Sequence, residues 1–313
     1  MKKPLVVVAG PTASGKTDIS IQLAKKINGE IISADSMQIY KYMDIGTAKA
    51  SEEEMQGIKH YLLSEIEPDE PYSVAIFQKL AKNYVNEIYA KGKIPILVGG
   101  TGFYINALIY DNDFSSVDAD YSYREYLSRL AEENGNEHLS LLLKEVDYES
   151  WGKIHINNTK RLIRALEYHH QTGKKISEHN STEKQKKPYY DVSFIILNRE
   201  RDLLYNRINY RVDKMINDGL VAEVQALLDK GYSRELVSMQ GLGYKEIVAY
   251  LLGETDFGTA VETLKQNTRR FAKRQLTWFR HQSDGIWLDA DKQNAVEVIL
   301  KKLSFFLGNS AIT

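Results

Sequence analysis

The eight residues Gly10-Pro11-Thr12-Ala13-Ser14-Gly15-Lys16-Thr17 constrain the fold more than any other stretch of this chain. They form G-x-x-x-x-G-K-T, and their neighbours give the pattern its meaning. Leu5 to Ala9 is a continuous apolar, Val-rich run, the mark of a strand buried on both faces. Ile19, Leu23, Ala24 and Ile27 follow at helical spacing. Strand, glycine loop and helix in that order make a phosphate cradle. The glycines let backbone N–H groups turn inward, the helix N-terminus adds its dipole, Lys16 supplies a point charge, and the Thr17 hydroxyl can hold Mg²⁺. Each residue from Gly10 to Thr17 is a candidate phosphate contact, and Thr17 is the candidate metal ligand. The loop specifies adjacent phosphates; it does not specify ATP.

Two further apolar runs, Glu30 to Ala34 and Ile94 to Val98, read as strands. They end in Asp35-Ser36-Met37-Gln38-Ile39-Tyr40 and in Gly99-Gly100-Thr101-Gly102. Ligands of open α/β sheets sit outside the carboxyl ends of the strands, so Asp35 and Thr101 are expected to face the phosphates held by Lys16. For Asp35 a helix cap or turn, a Mg²⁺ ligand and a general base all stay open. Gly99–Gly102 is either a flexible loop or part of the site. The second strand-end Asp with which NTPases hold Mg²⁺ is not evident, and this weakens a plain ATPase reading.

From about 114 to 188 the buried strands give way to polar helical patterns at Tyr123–Glu133, His138–Val146 and Thr159–His170, closed by a Lys-rich stretch. Val192 to Leu197 is again a strand. The expected architecture is α/β: a P-loop, kinase-like core with a parallel sheet from 1–113 and 189–313, C-terminal helices included, interrupted by a helical insertion at 114–188. Asn158-Thr159 can cap a helix that carries Lys160, Arg161 and Arg164, with Leu162, Ile163 and Leu166 inward. Those cations are either a solvated face or an RNA contact.

Leu203–Asn217 is amphipathic, with Arg207, Arg211 and Lys214 on one stripe. It follows a strand directly, so an arginine in it is placed to clamp a phosphate. Thr263–Ser283 contains no acidic residue but holds Lys265, Arg269, Arg270, Lys273, Arg274 and Arg280, interleaved with Phe271, Trp278 and Phe279. A basic helix face without carboxylates is a phosphate-backbone footprint; the aromatics are either part of it or the core side of the helix. Upstream lies the turn Gln240-Gly241-Leu242-Gly243-Tyr244-Lys245.

Composition closes several routes. The chain has no cysteine, which excludes disulfides, a thiolate nucleophile and Cys-ligated zinc. Its seven histidines include no H-x-x-x-H pair. Net charge is −1, so RNA affinity has to come from local patches. The opening apolar run is too short for a signal peptide or a membrane span, and the expectation is a cytoplasmic protein.

Taken together the motifs resemble the tRNA dimethylallyltransferases, or isopentenylpyrophosphate tRNA transferases. The phosphate loop is similar to that family's loop. Asp35–Tyr40 with Asp44-Ile45-Gly46-Thr47-Ala48-Lys49 resembles its second signature, and Gly99-Gly100-Thr101-Gly102-Phe103-Tyr104 its third. Arg161–Glu167, Gly241–Glu246 and Ala272–Arg280 continue the likeness in order along nearly the whole chain. Two departures are small: Asp147-Tyr148-Glu149-Ser150-Trp151 replaces the frequent Asp-Pro-x-x-Ala, and the eukaryotic C-terminal zinc finger is missing, as in the bacterial form.

The resemblance implies transfer of a dimethylallyl group from dimethylallyl pyrophosphate to the exocyclic N6 amine of the adenosine 3′ to the anticodon, in tRNAs that read codons beginning with U. It implies Mg²⁺, and Asp35 as the base. Thr101 matches an orienting hydroxyl. Lys16 is a charge on the leaving pyrophosphate, with Arg211, one turn from Arg207, as a pyrophosphate-side arginine. The expected tRNA contacts are Asp35, Ser36, Met37, Gln38, Thr101, Arg124, Thr159, Lys160, Arg161, Leu162, Ile163, Gln240, Gly241, Leu242, Gly243, Tyr244, Lys245, Lys273, Arg274, Gln275, Leu276, Thr277, Trp278, Phe279 and Arg280. The expected partners are the tRNA anticodon stem-loop and dimethylallyl pyrophosphate, with no obligate protein partner, no membrane association and a monomeric state. The main alternative is a P-loop nucleotide or small-molecule kinase. A transferase acting on free adenine nucleotides and a non-catalytic, nucleotide-regulated RNA-binding protein are further alternatives.

Overall fold

The computed structural model of the protein describes residues 2–114, 120–292 and 295–307; residues 115–119 of the expected insertion and 308–313 of the expected core lie outside them. The chain divides into two compact units, Met1–Ile109 with Tyr189–Thr313, and Tyr110–Pro188.

The larger unit is built on a six-stranded sheet in which every neighbouring pair is parallel. In chain order its first elements are β1 (Pro4–Ala9), α1 (Lys16–Lys26), β2 (Gly29–Ser33), α2 (Glu52–Met55), β3 (His60–Tyr61), α3 (Val74–Ala90), β4 (Ile94–Gly99) and α4 (Gly102–Ile109). The sheet order is β3-β2-β4-β1, continued on the other side by two strands from after the insertion. Central β1 is buried along its length after Pro4, which is why it reads as an unbroken apolar run rather than an alternating one. Val6, Val8, Ile31 and Ile96 meet Ile19, Leu23 and Ala24 of α1, and Ile27 just after it, in the core on one face of the sheet.

The smaller unit holds α5 (Tyr121–Val146), α6 (Tyr148–Lys153), α7 (Thr159–Thr172) and α8 (Ile176–Lys184). The two helices expected at 123–133 and 138–146 are one element broken at Gly135, whose φ of 79° and ψ of 165° interrupt the helix. Leu127, Leu139, Leu143, Leu162, Ala165 and Leu166 form its core. Two buried carboxylates bolt it together. Asp147 takes the N–H groups and hydroxyls of both Ser150 and Ser177 at 2.7–3.0 Å. Glu167 takes Arg124, Arg164 and the Asp120 N–H at 2.8–3.0 Å.

The larger unit resumes with β5 (Asp191–Asn198), α9 (Arg201–Asn217), α10 (Leu220–Asp229), α11 (Tyr244–Leu251), α12 (Phe257–Gln282), β6 (Ile286–Asp289) and α13 (Ala295–Leu307). β5 pairs with β1 from Pro4↔Asp191 to Ala9↔Ile196, and β6 pairs with β5. The carboxyl ends of β1, β2, β4 and β5 therefore lie side by side, and each opens into a loop that carries polar residues. Among the described residues, no helix is long and apolar enough to cross a membrane.

Candidate active site

The phosphate loop turns sharply between β1 and α1. Gly15, at φ 90°, precedes the first turn of α1, and Ala13 is left-handed at φ 62°. A non-glycine residue in that conformation stores about 1 kcal/mol or more of strain and marks a conformation fixed by its surroundings. Lys16 Nζ donates to the Pro11 carbonyl at 2.6 Å.

Three arginines reach the same loop. Arg199 Nε donates to the Ser14 carbonyl at 3.1 Å, Arg207 Nε to the Ala13 carbonyl at 3.1 Å, and Arg211 approaches the Thr12 hydroxyl at 3.4 Å. With Lys16 they gather four positive charges on one turn of backbone. Only Arg199 has an acidic partner within 4 Å among the described residues, Asp291. The crowding shows in the titration of the group. Burial, then the charge of Arg211, pushes the Lys16 ammonium down to about 7, against the pull of Asp35. Burial, then Arg207, holds the Arg211 guanidinium below its ordinary value, and Arg199 is lowered for the same two reasons. Desolvated like charges cost free energy unless an anion joins them.

Asp35 and Thr101 lie together on the adjacent strand ends: the Thr101 N–H donates to the carbonyl of Ala34 at 3.3 Å. One Asp35 oxygen, Oδ1, accepts the N–H groups of Met37 at 2.8 Å and Gln38 at 3.3 Å, the turn-forming role left open in the sequence. Its second oxygen has no hydrogen-bond partner among the described residues, so the turn fixes the carboxylate without consuming it. Gln38 is held in turn by the Ser33 hydroxyl at 3.1 Å and by its own amide on the Thr47 carbonyl at 3.2 Å.

A divalent cation fits this loop in one way. No group of three or more His, Cys, Asp or Glu able to hold a metal occurs among the described residues, so a protein cage is not the arrangement offered. Thr17 makes no side-chain hydrogen bond there, and the Ser14 hydroxyl is buried without a partner. Such a donor set suits a cation shared between one hydroxyl and phosphate oxygens.

The structure corrects several expected tRNA contacts. Leu162, Tyr244 and Phe279 are fully buried, so their side chains support rather than touch a ligand. Gln275 is 7% exposed and braces the site from within: it accepts from the Thr12 N–H at 2.9 Å and donates to the Gly100 carbonyl at 3.0 Å. Arg124 gives its Nε and one Nη2 hydrogen to buried Glu167, so part of its donor set holds the smaller unit together. Lys265 is not an uncompensated cation; Asp213 of α9 lies 2.7 Å away and Glu262 3.3 Å away. One carboxylate distant in sequence, and one just upstream of the acid-free stretch, meet it at Lys265. Lys160, Arg161, Lys273, Arg274 and Arg280 remain exposed, with no carboxylate within 4 Å among the described residues.

Arg199 was missed, yet a signal existed, because it follows the carboxyl end of β5 just as Asp35 and Thr101 follow β2 and β4.

Comparison with known proteins adds independent findings. The family model described as IPP transferase matches residues 38–282. The chain is 52% identical over 308 residues to the tRNA dimethylallyltransferase of Acetivibrio thermocellus, covering 98% of each. It is 50% identical over 311 residues to that of Clostridioides difficile, covering 99% of each. Among solved structures it is similar to a tRNA isopentenylpyrophosphate transferase from Bacillus halodurans, at TM-score 0.73 and 43% identity, covering 98% of this chain and 96% of that one. It is also similar to a eukaryotic dimethylallyltransferase acting on tRNA, at TM-score 0.83 and 31% identity, covering 98% of this chain and 80% of that one.

Proposed function

This chain belongs to the IPP transferase family, and from that premise we propose that it transfers the dimethylallyl group of dimethylallyl pyrophosphate to N6 of the adenosine 3′ to the anticodon, in tRNAs that read codons beginning with U. The products are N6-(dimethylallyl)adenosine and pyrophosphate. One observation carries the reading: four crowded cations face a phosphate loop whose neighbouring strand ends supply a carboxylate and a hydroxyl.

In the transfer, the N6 lone pair forms a bond to the donor's C1 while the C1–oxygen bond breaks, and the bonding pair leaves with pyrophosphate. An exocyclic adenine amine is a weak nucleophile because its lone pair is delocalised into the ring. Asp35 takes the N6 proton as the bond forms. Thr101, on the neighbouring strand end, orients the reacting groups. Lys16, Arg199, Arg207, Arg211 and the loop N–H groups meet the negative charge that grows on the departing pyrophosphate. Mg²⁺ held by Thr17 and the phosphates would supply further positive charge there. The adenosine leaves its stack to react, at low cost in a single-stranded anticodon loop.

Exposed Lys160 and Arg161 of the smaller unit, and Gln240, Lys245, Lys273, Arg274, Thr277 and Arg280 of the larger one, are assigned to tRNA. A cytoplasmic monomer is part of the same proposal. The named relatives favour this reading over a kinase. The test is transfer of label from purified dimethylallyl pyrophosphate, with Mg²⁺ and no nucleotide, to tRNA, AMP or ATP in turn. Label in tRNA alone is expected. Label in a free nucleotide, or transfer only when ATP is added and hydrolysed, overturns the proposal.

A further inference from the structure

The segment from Asp35 to Lys49 is a long loop with little regular structure, yet it is tightly held. Gln38 ties it to Thr47, and Lys49 Nζ, almost wholly buried, donates to the Tyr40 carbonyl at 2.8 Å and to the Ser64 hydroxyl at 2.7 Å while pairing with Asp44 at 2.6 Å. At its far end three successive backbone N–H groups, those of Asp44, Ile45 and Gly46, converge on one carboxylate. Glu223 of α10 accepts all three, at 2.9, 2.8 and 3.0 Å. Its Oε1 also accepts the Tyr244 hydroxyl at 2.7 Å.

Tyr244, the first residue of α11, belongs to the Gln240–Lys245 turn, and this turn meets the loop twice more by close approach. A Cβ on Gly46 would stand 2.6 Å from the Tyr244 ring, and a Cβ on Gly241 would stand 2.5 Å from the Met37 methyl. Glu246 then accepts from the Gly243 N–H at 2.9 Å and from Asn267 of α12 at 2.8 Å. A converging row of N–H groups is the shape that elsewhere binds a phosphate, but here a side chain of the protein fills it. Such a cradle is a joint and is not open to a ligand.

We propose that Glu223 is a positioning residue that joins the Asp35–Lys49 loop and the Gln240–Lys245 turn into one rigid acceptor-binding body. The proposal rests on the tRNA-transfer reading for its function, while the joint itself is a property of the fold. Glu223 touches neither donor nor acceptor. It acts through the loop that carries Asp35 and Gln38, and through Tyr244. Donor binding depends on the phosphate loop and its cations, so the two halves of the reaction should respond differently when the joint is cut.

The test compares Glu223→Ala, Tyr244→Phe and the double variant. In each, tRNA affinity, pyrophosphate affinity and amide hydrogen exchange at 44–46 and 241–245 are measured. Losing several hydrogen bonds to one carboxylate should weaken tRNA binding about tenfold or more in Glu223→Ala, with pyrophosphate binding within about twofold. Exchange should accelerate in both segments. Tyr244→Phe removes one of four donors and should do less. The double variant should be no worse than Glu223→Ala, because the tyrosine hydroxyl acts only through that carboxylate.

Additive losses, equal losses of tRNA and pyrophosphate binding, or faster exchange at 44–46 alone would each overturn the proposal. Retained pyrophosphate binding shows that the variant is folded. If the wild-type chain modifies no tRNA, the exchange data still decide the joint, so failure of the functional reading is seen separately.

Discussion

The smaller unit and the phosphate loop of the larger one handle buried charge in opposite ways. In the smaller unit, Asp147 and Glu167 are buried, and every one of their strong bonds is made within the fold: two serines serve the first, two arginines and a backbone N–H the second. In the larger unit, Lys16, Arg207 and Arg211 crowd around the phosphate loop with no carboxylate within 4 Å among the described residues, and burial lowers the affinity of Lys16 and Arg211 for their protons. A compensated charge is part of the architecture. Charge that the fold has gathered and left uncompensated is a site, because only a ligand completes it.

The sharpest way to break this contrast is Lys16→Ala. It removes donor binding and stabilisation of the leaving pyrophosphate together, so kcat/KM for transfer should fall by about 10⁴. Steady-state assays with labelled donor check this, and a loss below tenfold would take Lys16 out of the chemistry. Asp35→Asn, which keeps an oxygen for the Met37 and Gln38 N–H groups but is no base, should slow single-turnover transfer by about 10³, the scale of a general base, with tRNA and donor affinity little changed. Rates within a few-fold of wild type would leave Asp35 as a turn residue only.

Glu167→Ala is the counterpart in the smaller unit. It strands the Asp120 N–H and frees two arginines that are already partly solvated, so urea unfolding should show a loss of about 2 kcal/mol. Pyrophosphate affinity should not change, and a change would mean that the two charge systems are not independent.

Titration of Lys16 sharpens the comparison further. The ammonium is pushed down to about 7, and a bound polyanion raises it, so above pH 7 binding must take up a proton. Affinity for pyrophosphate measured without metal should therefore fall by up to about tenfold per pH unit above 7. Calorimetry in buffers of different ionisation enthalpy should show proton uptake, and a flat profile would remove Lys16 as the titrating group. The smallest effects belong to Lys273, Arg274 and Arg280. Each replaced by Ala should weaken all substrate tRNAs a few-fold and lower the salt slope by about one contact. Altered choice of tRNA at an unchanged slope would mean that they read bases.

The sequence by itself determined four of the six strands, and the edge strands β3 and β6 are too short for an apolar run to mark them. β1 and β2 are buried on both faces, as are most of β4 and the second half of β5, so their apolar runs mark them, and the glycine loop between β1 and α1 marks where a phosphate is expected. From those strand ends Asp35 and Thr101 follow by rule. The acid-free run 263–283 was just as visible, but its meaning was not, because Asp213 and Glu262 fold back to neutralise Lys265.

What only the tertiary structure decided are the long-range joints. Gln275 reaches the phosphate loop across 263 residues of chain, Arg207 and Arg211 close over it from α9, and Glu223 gathers three N–H groups that lie 177 to 179 residues away. Periodicity reports which face of an element is buried. It carries no information on which distant polar group meets another, because a single hydrogen bond leaves no repeat in the sequence, and its partner is fixed only when the packed elements bring both ends together.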